Sequence, residues 1–291
     1  MSYYKILGFE KEPFSTSPDP DFLYFTQGHQ SALTNILIEL RLRRGLSVIL
    51  GDVGTGKTTL SRKLIRALKE RGDFLAHCVL DPCFENEHAF LSSLIRNFGI
   101  NLDHYRNVYP GMGTAATTLD LKEALEKYLY EKCIVENKTV VLIVDEAQKL
   151  TESSMEMLRV ILNYETNANK LLQLVLLGQL ELHSKILAIP NFMDRISFKF
   201  TLNPLGFAET KDMILFRIRQ AGYTGNARLF LDEGIHLIHE ISRGYPRKIT
   251  LLCHRALKTL VMKQKWVVDE AVVREIIDED VRSGWLTQTH L

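Results

Sequence analysis

The sequence predicts an α/β fold, a doubly wound parallel sheet of about five strands followed by a small all-α domain. Three observations lead to this prediction. Short apolar segments alternate with amphipathic helical segments from residue 46 to residue 204. A glycine-rich turn joins the first apolar segment to the helix that follows it. Beyond Pro204 the strand pattern stops and only helical periodicity remains.

Length and charge limit the classes of protein to consider. The 291 residues are enough for one α/β domain and a smaller appendage. The formal charge of +1 gives no global argument for a nucleic-acid or anionic membrane partner, although a local basic face remains open. No apolar run approaches the roughly 20 residues of a membrane helix, and the charged start does not resemble a signal peptide. We therefore expect a soluble, cytoplasmic protein without membrane insertion.

The cysteines show no metal-binding pattern. They have neither CxxC spacing nor nearby paired histidines, which structural zinc sites typically use. We expect free thiols in a reducing compartment. The four are Cys78, Cys83, Cys133 and Cys253.

Residues 1–45 are interpreted as an N-terminal arm and helix that pack on the α/β domain. Prolines at positions 13, 18 and 20 alternate with aromatic residues and disfavour a continuous helix. So many aromatic side chains are expected to be buried against the domain that follows. Helical spacing of apolar residues then covers 30–44.

The α/β domain is predicted over 46–204 and a helical lid domain with a tail over 205–291. Unbroken apolar strands such as 140–144 are typical of strands buried on both faces of a parallel sheet. In such sheets ligands bind at the carboxyl ends of the strands. The predicted strands are 46–50, 74–80, 140–144, 171–177 and 197–202, and the predicted helices are 58–71, 87–98, 119–135, 152–166, 211–221, 232–242, 247–263 and 269–281.

The glycine-rich turn matches a phosphate-binding loop. Residues 51–58 fit GxxxxGK[ST] in full and stand between an apolar strand and a helix, as the mechanism requires. Glycines let backbone N–H groups surround phosphates, and the helix N-terminus adds a favourable partial charge. Lys57 would reach the β- and γ-phosphates of ATP, and the Thr58 hydroxyl would ligate Mg²⁺. The alternative is a turn that binds no ligand. The candidate nucleotide-binding residues are Gly51, Asp52, Val53, Gly54, Thr55, Gly56, Lys57, Thr58 and Thr59.

A pair of carboxylates supplies the second element that hydrolysis needs. Asp145 and Glu146 directly follow the apolar strand 140–144, so they should lie at the strand tip beside the phosphate loop. Asp145 would hold the Mg²⁺ shell, and Glu146 would orient and polarise the attacking water. The alternative is that the pair merely caps the next helix.

With these motifs the chain resembles the AAA+ ATPases of the ExeA, or general secretion pathway protein A, family. The resemblance extends almost from end to end and implies a P-loop ATPase of AAA+ type that acts as a ring or filament of identical chains. Better-known members also carry a membrane segment and a peptidoglycan-binding domain, and here we expect a partner to supply that anchoring. The features that match are Phe14, Ser17-Pro18-Asp19-Pro20, Tyr24, His29, the loop 51–59, Asp145-Glu146-Ala147-Gln148, Leu177-Gly178-Gln179, Arg195-Ile196 and Gly244-Tyr245-Pro246-Arg247.

The resemblance implies roles for three further polar residues. Gln179 matches the sensor that reports on the γ-phosphate, and Arg247 matches the second sensor, from the lid. Arg195 matches an arginine finger, which reaches a neighbouring subunit's site and neutralises transition-state charge. Each has a structural alternative: a strand-end residue for Gln179, a salt-bridge partner for Arg195 and a helix N-terminal residue for Arg247.

Three functions remain open at this point. The first is an ATPase that assembles or remodels a protein machine of the secretion or pilus type. The second is an ATP-dependent regulator of transposition that works with a transposase on duplex DNA, since similar ATPases do so. The third is a nucleotide-switched scaffold. DNA binding would need an aligned basic surface, for which the helix 58–71 offers Arg62, Lys63, Arg66 and Lys69, although solvated helix faces are the simpler interpretation.

Overall fold

The computed structural model describes residues 2–15, 22–102, 116–166, 169–225 and 228–284. The family-like segment 17–20 therefore lies outside the described residues, as do 285–291 of the predicted tail. The chain divides into two compact units. The α/β unit comprises 27–53 and 57–202, and the helical unit comprises 1–26, 54–56 and 203–291.

The α/β unit contains a five-stranded, all-parallel sheet with the order β2-β3-β4-β1-β5. This confirms the predicted strand number and the parallel arrangement. Each strand coincides with an apolar segment of the sequence, and β3 and β4 are buried along their whole length. The strands are β1 (Leu46–Gly51), β2 (Phe74–Val79), β3 (Thr139–Val144), β4 (Leu172–Gly178) and β5 (Ile196–Leu202).

Helices cover both faces of this sheet. Successive side chains of a strand point to opposite faces. On β3, Leu142 belongs to the core formed with the helices after β2, whereas Val141 and Ile143 are buried outside that core. The α-helices are α1 (Tyr3–Ile6), α2 (Gln27–Arg41), α3 (Lys57–Lys69), α4 (Glu87–Phe98), α5 (Thr118–Tyr130), α6 (Glu152–Ile161), α7 (Glu181–Ala188), α8 (Phe207–Gln220), α9 (Asp232–Ser242), α10 (Pro246–Lys263) and α11 (Glu270–Arg282).

Three helices of the α/β unit differ from the sequence prediction. Helix α7 was not predicted, because its eight residues give too short an apolar pattern between two strands. The helix predicted over 119–135 is α-helical to Tyr130 and then continues as a π-helical turn, Glu131–Val135. The helix predicted over 152–166 ends at Ile161, since residues 165 and 170 form a β-bridge.

The helical unit has its own apolar core, formed by α8 to α11. Helix α10 begins with Pro246, whose fixed φ suits the first turn of a helix. Helix α11 begins with a side-chain cap from Asp269, whose Oδ1 accepts a hydrogen bond from Val272 N at 2.9 Å. This all-α region confirms the predicted loss of strands after Pro204.

The N-terminal arm belongs to the helical unit, which corrects the expectation that residues 1–45 pack together on the α/β domain. Phe9, Phe14 and Phe22 are buried in the core of the helical unit. Arg217 of α8 holds the arm by donating hydrogen bonds to Pro13 O at 2.8 Å and to the carbonyl of residue 15 at 3.0 Å. Its guanidinium also lies 5.7 Å and 5.6 Å from the ring centres of Phe14 and Phe22. Aromatic content indicated that the arm is buried, but could not indicate against which unit.

Neither a membrane-spanning helix nor a cluster of three or more His, Cys, Asp or Glu ligands occurs in the described ranges. No helix there has the length and apolar character that a membrane span requires. Nor do three or more His, Cys, Asp or Glu side chains of these ranges cluster as metal ligands would. All four cysteines are free thiols.

Candidate functional site at the carboxyl edge of the sheet

Three neighbouring strand tips carry the predicted polar residues of the α/β unit. Strand β4 lies between β1 and β3, and Gly178 pairs with Leu50 at its tip. Because the strands are parallel, the phosphate loop after β1, Gln179 after β4 and the carboxylates after β3 share one edge of the sheet. From the sequence, each of these residues was predicted to lie at the end of its own strand. The strand order adds that Gln179 lies between the phosphate loop and the two carboxylates.

Lys57 is buried at the start of α3. Its side chain is only 6% exposed, and its ammonium donates hydrogen bonds to Gly51 O at 2.8 Å and Asp52 O at 3.0 Å. Burial lowers the pKa of Lys57, while the charges of Glu146 and Asp145 act in the opposite direction. A buried ammonium at the start of a helix, beside a glycine-containing loop, is suited to binding an anion such as a phosphate group.

The loop requires glycine at two positions. Gly54 and Gly56 have φ of +87° and +100°, in the left-handed region that other residues rarely adopt. Residues 54–56 are assigned to the helical unit. A Cβ at Gly54 would lie 3.3 Å from the Cβ of Arg247, which belongs to the same unit. A side chain at either glycine would therefore strain the loop, and at Gly54 it would also crowd Arg247.

Asp145 is held by hydrogen bonds from two sides. It is 2% exposed, and its Oδ2 accepts from Ser61 Oγ at 3.3 Å while its Oδ1 accepts from Glu146 N at 3.0 Å. Ser61 lies one turn after Thr58 in α3, and its hydroxyl also lies 3.0 Å from Thr58 O, so Ser61 connects the metal-binding candidates Thr58 and Asp145. Ser61 was not predicted from the sequence. Its spacing of three residues from Thr58 on one helix was the available signal.

Glu146 has a strained backbone. Its φ and ψ are 52° and 36°, the left-handed conformation, which costs a non-glycine residue about 1 kcal/mol or more. Strain of this kind often occurs where a side chain must point in a defined direction. One carboxylate oxygen, Oε2, accepts a hydrogen bond from Gln148 Nε2 at 2.6 Å.

Gln179 contacts the same glutamine through its backbone. Gln179 N donates to Gln148 Oε1 at 3.0 Å, so Gln148 contacts both Glu146 and the residue that follows β4. The close approach depends on Gly178, where a Cβ would lie 2.6 Å from Leu182 Cδ2 and 3.3 Å from Gln148 N. From the sequence, Gln148 was only part of the Asp-Glu-Ala-Gln motif and had no predicted role.

Arg195 lies at the opposite edge of the sheet. It ends a short 3₁₀ helix just before β5, and its neighbour Ile196 pairs with Leu46 at the amino end of β1. Strands rise roughly 3.3 Å per residue, so the six residues of β1 separate the two edges by about 17 Å. Arg195 Nε is buried without a hydrogen-bond partner among the described residues. In the α/β unit Arg195 is thus not brought together with Lys57 or Glu146.

Acidic residues near Arg195 sense its charge. The pKa of Glu156 is lowered, first by its hydrogen bond from Arg159 and to a smaller degree by Arg195. The pKa of Glu165 is likewise lowered, first by Lys170 and last by Arg195. Both carboxylates have closer cations of their own, so neither depends on Arg195 for an ion pair.

The donor set at the carboxyl edge suits magnesium. The Thr58 hydroxyl and the Asp145 carboxylate are oxygen ligands, which Mg²⁺ prefers. Mg²⁺ at phosphate sites commonly takes only one or two protein ligands and fills its shell with water and phosphate oxygens. Two such groups therefore fit the ion.

A family model described as "AAA domain" matches residues 40–186, about half of the chain. The chain belongs to this family. The match spans the phosphate loop and the carboxylate pair but stops before Arg195 and the helical unit. The protein is therefore a P-loop nucleotide-binding protein of the AAA+ type.

Individual relatives extend the match beyond the AAA domain. The chain is 33% identical to General secretion pathway protein A of Aeromonas hydrophila over 257 residues, which are 88% of this chain and 44% of that protein. It thus spans less than half the length of this relative. It is 25% identical to an uncharacterized HTH-type transcriptional regulator of Methanocaldococcus jannaschii, over 90% of this chain and 71% of that protein. The Aeromonas match confirms the predicted resemblance to the secretion protein A family.

The fold is also found among solved structures. The ORC2 protein of Aeropyrum pernix superimposes with a TM-score of 0.63 and 21% identity, over 93% of this chain and 72% of that one. At this identity the similarity concerns the fold alone. It supports the AAA+ architecture of a parallel sheet followed by a helical region.

Proposed function

We propose that this protein hydrolyses Mg-ATP and couples the reaction to the assembly or remodelling of a protein machine. The observation that carries the proposal is the meeting of a buried lysine and two carboxylates at one sheet edge. The start of a helix positions Lys57, the buried tip of a strand positions Asp145, and a strained backbone positions Glu146. A scaffold that only binds nucleotide would not need Glu146.

In this proposal each residue of the edge has a defined task. Backbone N–H groups of residues 51–59 and the Lys57 ammonium bind the phosphates. Thr58 and Asp145 hold Mg²⁺, which when bound neutralises charge on the phosphates. Glu146 orients and polarises the attacking water. Gln179, between the phosphate loop and Glu146, senses the γ-phosphate.

The proposed active enzyme contains several copies of the chain. Arg195 lies about 17 Å from the phosphate edge, so it cannot neutralise charge in its own α/β unit without a rearrangement of the sheet. A second copy, however, can present its Arg195 to the first copy's nucleotide. Arg247, which matches the lid sensor in the resemblance, would add a positive charge from the same chain.

The name of the Aeromonas relative favours a secretion-type machine as the system served. A second candidate is ATP-dependent binding of duplex DNA, and one surface favours it. Helix α3 exposes Arg62, Lys63 and Lys69, while Arg66 pairs with Glu70 at 3.1 Å. An aligned basic face of this kind is what a phosphate backbone binds. The regulator relative is named for a DNA-binding class, which is consistent with this candidate.

The first test is steady-state ATP hydrolysis measured over a wide range of protein concentrations. We expect turnover per chain to rise with concentration, because the complete site needs Arg195 from another copy. Glu146→Gln should bind ATP and lose most of its turnover. A parent chain that binds ATP but does not hydrolyse it at any concentration would refute the enzyme and leave the scaffold.

The DNA candidate is tested by fluorescence anisotropy with random-sequence duplex DNA. Binding is measured without nucleotide, with ADP and with a non-hydrolysable ATP analogue at two salt concentrations, and Lys57→Ala serves as control. Binding that needs the analogue and weakens with salt would establish the DNA candidate. An absence of binding in every state would eliminate it.

A further inference from the structure

Gln148 forms a bridge between the proposed catalytic glutamate and the tip of β4. Its Nε2 donates to Glu146 Oε2 at 2.6 Å, and its Oε1 accepts from Gln179 N at 3.0 Å. A single side chain is thus bonded both to the group that would activate water and to the backbone of the proposed sensor.

Only a carboxamide satisfies both ends of this bridge. A carboxylate such as that of Glu146 accepts hydrogen bonds, and a backbone N–H such as that of Gln179 donates them. The amide of Gln148 must therefore point its NH₂ at Glu146 and its oxygen at Gln179. In the flipped orientation its oxygen would face the carboxylate oxygen and its NH₂ would face the backbone N–H. A glutamate at this position keeps the acceptor end but loses the donor end. A methionine keeps the length and loses both.

The backbone around Gln148 is also held in place. Residues Ala147–Lys149 form a 3₁₀ turn, and Lys185 of α7 donates hydrogen bonds to the carbonyls of Gln148 and Leu150. Gly178 allows the backbone of Gln148 to come close to β4. Because its main chain is fixed on both sides, Gln148 holds its two partners, Glu146 Oε2 and Gln179 N, at a constant separation.

We propose that Gln148 is a positioning residue that couples the orientation of the Glu146 carboxylate to the tip of β4. This inference rests on the proposed ATP hydrolysis. Through the bridge, a displacement of Gln179 upon nucleotide binding moves the carboxylate that polarises water. Loss of the bridge leaves the phosphate loop intact, so it lowers kcat and not the affinity for ATP.

The test compares two variants of Gln148 with a neighbour on the same turn. Gln148→Met removes both hydrogen bonds at constant length, and Gln148→Glu removes only the donor and places a negative charge beside Glu146. Lys149→Ala is the control, since Lys149 pairs with Asp81 at 3.1 Å on the surface. The readouts are kcat, and the Kd for ATP measured by equilibrium binding to the folded proteins.

We expect kcat to fall about 10-fold in Gln148→Met and about 100-fold in Gln148→Glu, in the range typical for residues that orient an active group. The Kd for ATP should stay within about 3-fold of the parent value in both variants, a smaller change than removal of a direct binding contact would cause. Lys149→Ala should match the parent. A bridge that serves only to hold the tip of β4 would predict the reverse order, because glutamate still accepts from Gln179 N.

A second measurement shows whether Gln148 acts through Glu146. In the Glu146→Gln background, adding Gln148→Met should lower the residual turnover no further. Parent-like kcat in Gln148→Glu, or an equal additional loss in that background, would overturn the role of Gln148 while leaving ATP hydrolysis established. A parent chain without turnover would overturn both proposals, so the two failures are distinguishable.

Discussion

The two edges of the central sheet differ in how their polar side chains are satisfied. At the carboxyl edge, Lys57, Asp145 and Glu146 are each held by hydrogen bonds from the same chain. At the amino edge of β5, Arg195 has a buried Nε without a partner among the described residues. Buried polar atoms are normally paired, so this single buried nitrogen calls for an explanation.

From this difference we infer that the two edges of one chain contribute to two different sites. In the proposed enzyme the carboxyl edge is organised within a single copy and would bind the nucleotide and the metal. The amino edge carries a positive charge about 17 Å away from it along β1, at the strand rise of roughly 3.3 Å per residue. A neighbouring copy would bring the two edges together, which is the basis of the proposed arrangement.

Arg195→Ala should have the largest effect. We expect turnover to fall about 1,000-fold, as for an arginine finger, while the Kd for ATP changes little. Arg159→Ala is the matched control, because Arg159 forms a surface ion pair with Glu156 at 2.6 Å and is not part of the proposed site. Unchanged turnover in a folded Arg195→Ala protein would assign Arg195 a purely structural role.

Glu146→Gln tests the carboxyl edge. The amide cannot take a proton from water, so turnover should fall about 100-fold or more. ATP binding should persist, since Lys57 and the loop are unchanged, and the ATP-bound assembly should accumulate in size-exclusion chromatography. Hydrolysis at the parent rate would show that Glu146 does not activate the water.

Arg247→Ala should have an intermediate effect. Loss of one charge-assisted hydrogen bond is worth about 1.5 kcal/mol, which corresponds to a reduction in turnover of about 10-fold. Lys248→Ala, in the same helical turn, is the control. If both variants lose the same activity, the effect comes from the start of α10 and not from the Arg247 guanidinium.

Ser61→Ala should have the smallest effect. It removes the hydrogen bond to Asp145 at 3.3 Å and leaves the carboxylate with its bond from Glu146 N. The net value of one such bond is about 1 kcal/mol, so the Mg²⁺ concentration for half-maximal activity should rise about 5-fold. An unaltered Mg²⁺ dependence would mean that Ser61 does not orient Asp145 for the metal.

Local patterns explain which features the sequence could predict. The strand before the phosphate loop and the strand before Asp145 are short apolar runs, and the loop itself is a contiguous motif. All three were therefore visible without a structure. Helix α7 was missed because only Leu182 and Ile186 mark its buried face. The series of hydrogen bonds that runs from Ser61 through Asp145 to Gln148 depends on the order of the strands in the sheet, which no local sequence pattern contains.

The N-terminal arm shows a different limit. Its aromatic residues predicted burial correctly, but burial does not name the surface against which a side chain packs. The deciding contacts come from Arg217, some 200 residues away in the chain, which donates two hydrogen bonds to carbonyls of the arm. Such long-range choices depend on shape and on hydrogen-bond geometry, not on periodicity.

A complete site should combine the carboxyl edge of one copy with Arg195 of another. The most direct test mixes Arg195→Ala with Glu146→Gln, each inactive alone, over a range of ratios at constant total protein. Turnover should reappear on mixing and be greatest near equal amounts, because an intact Glu146 then faces an intact Arg195. Mixtures that form assemblies of parent size but stay inactive at every ratio would contradict it.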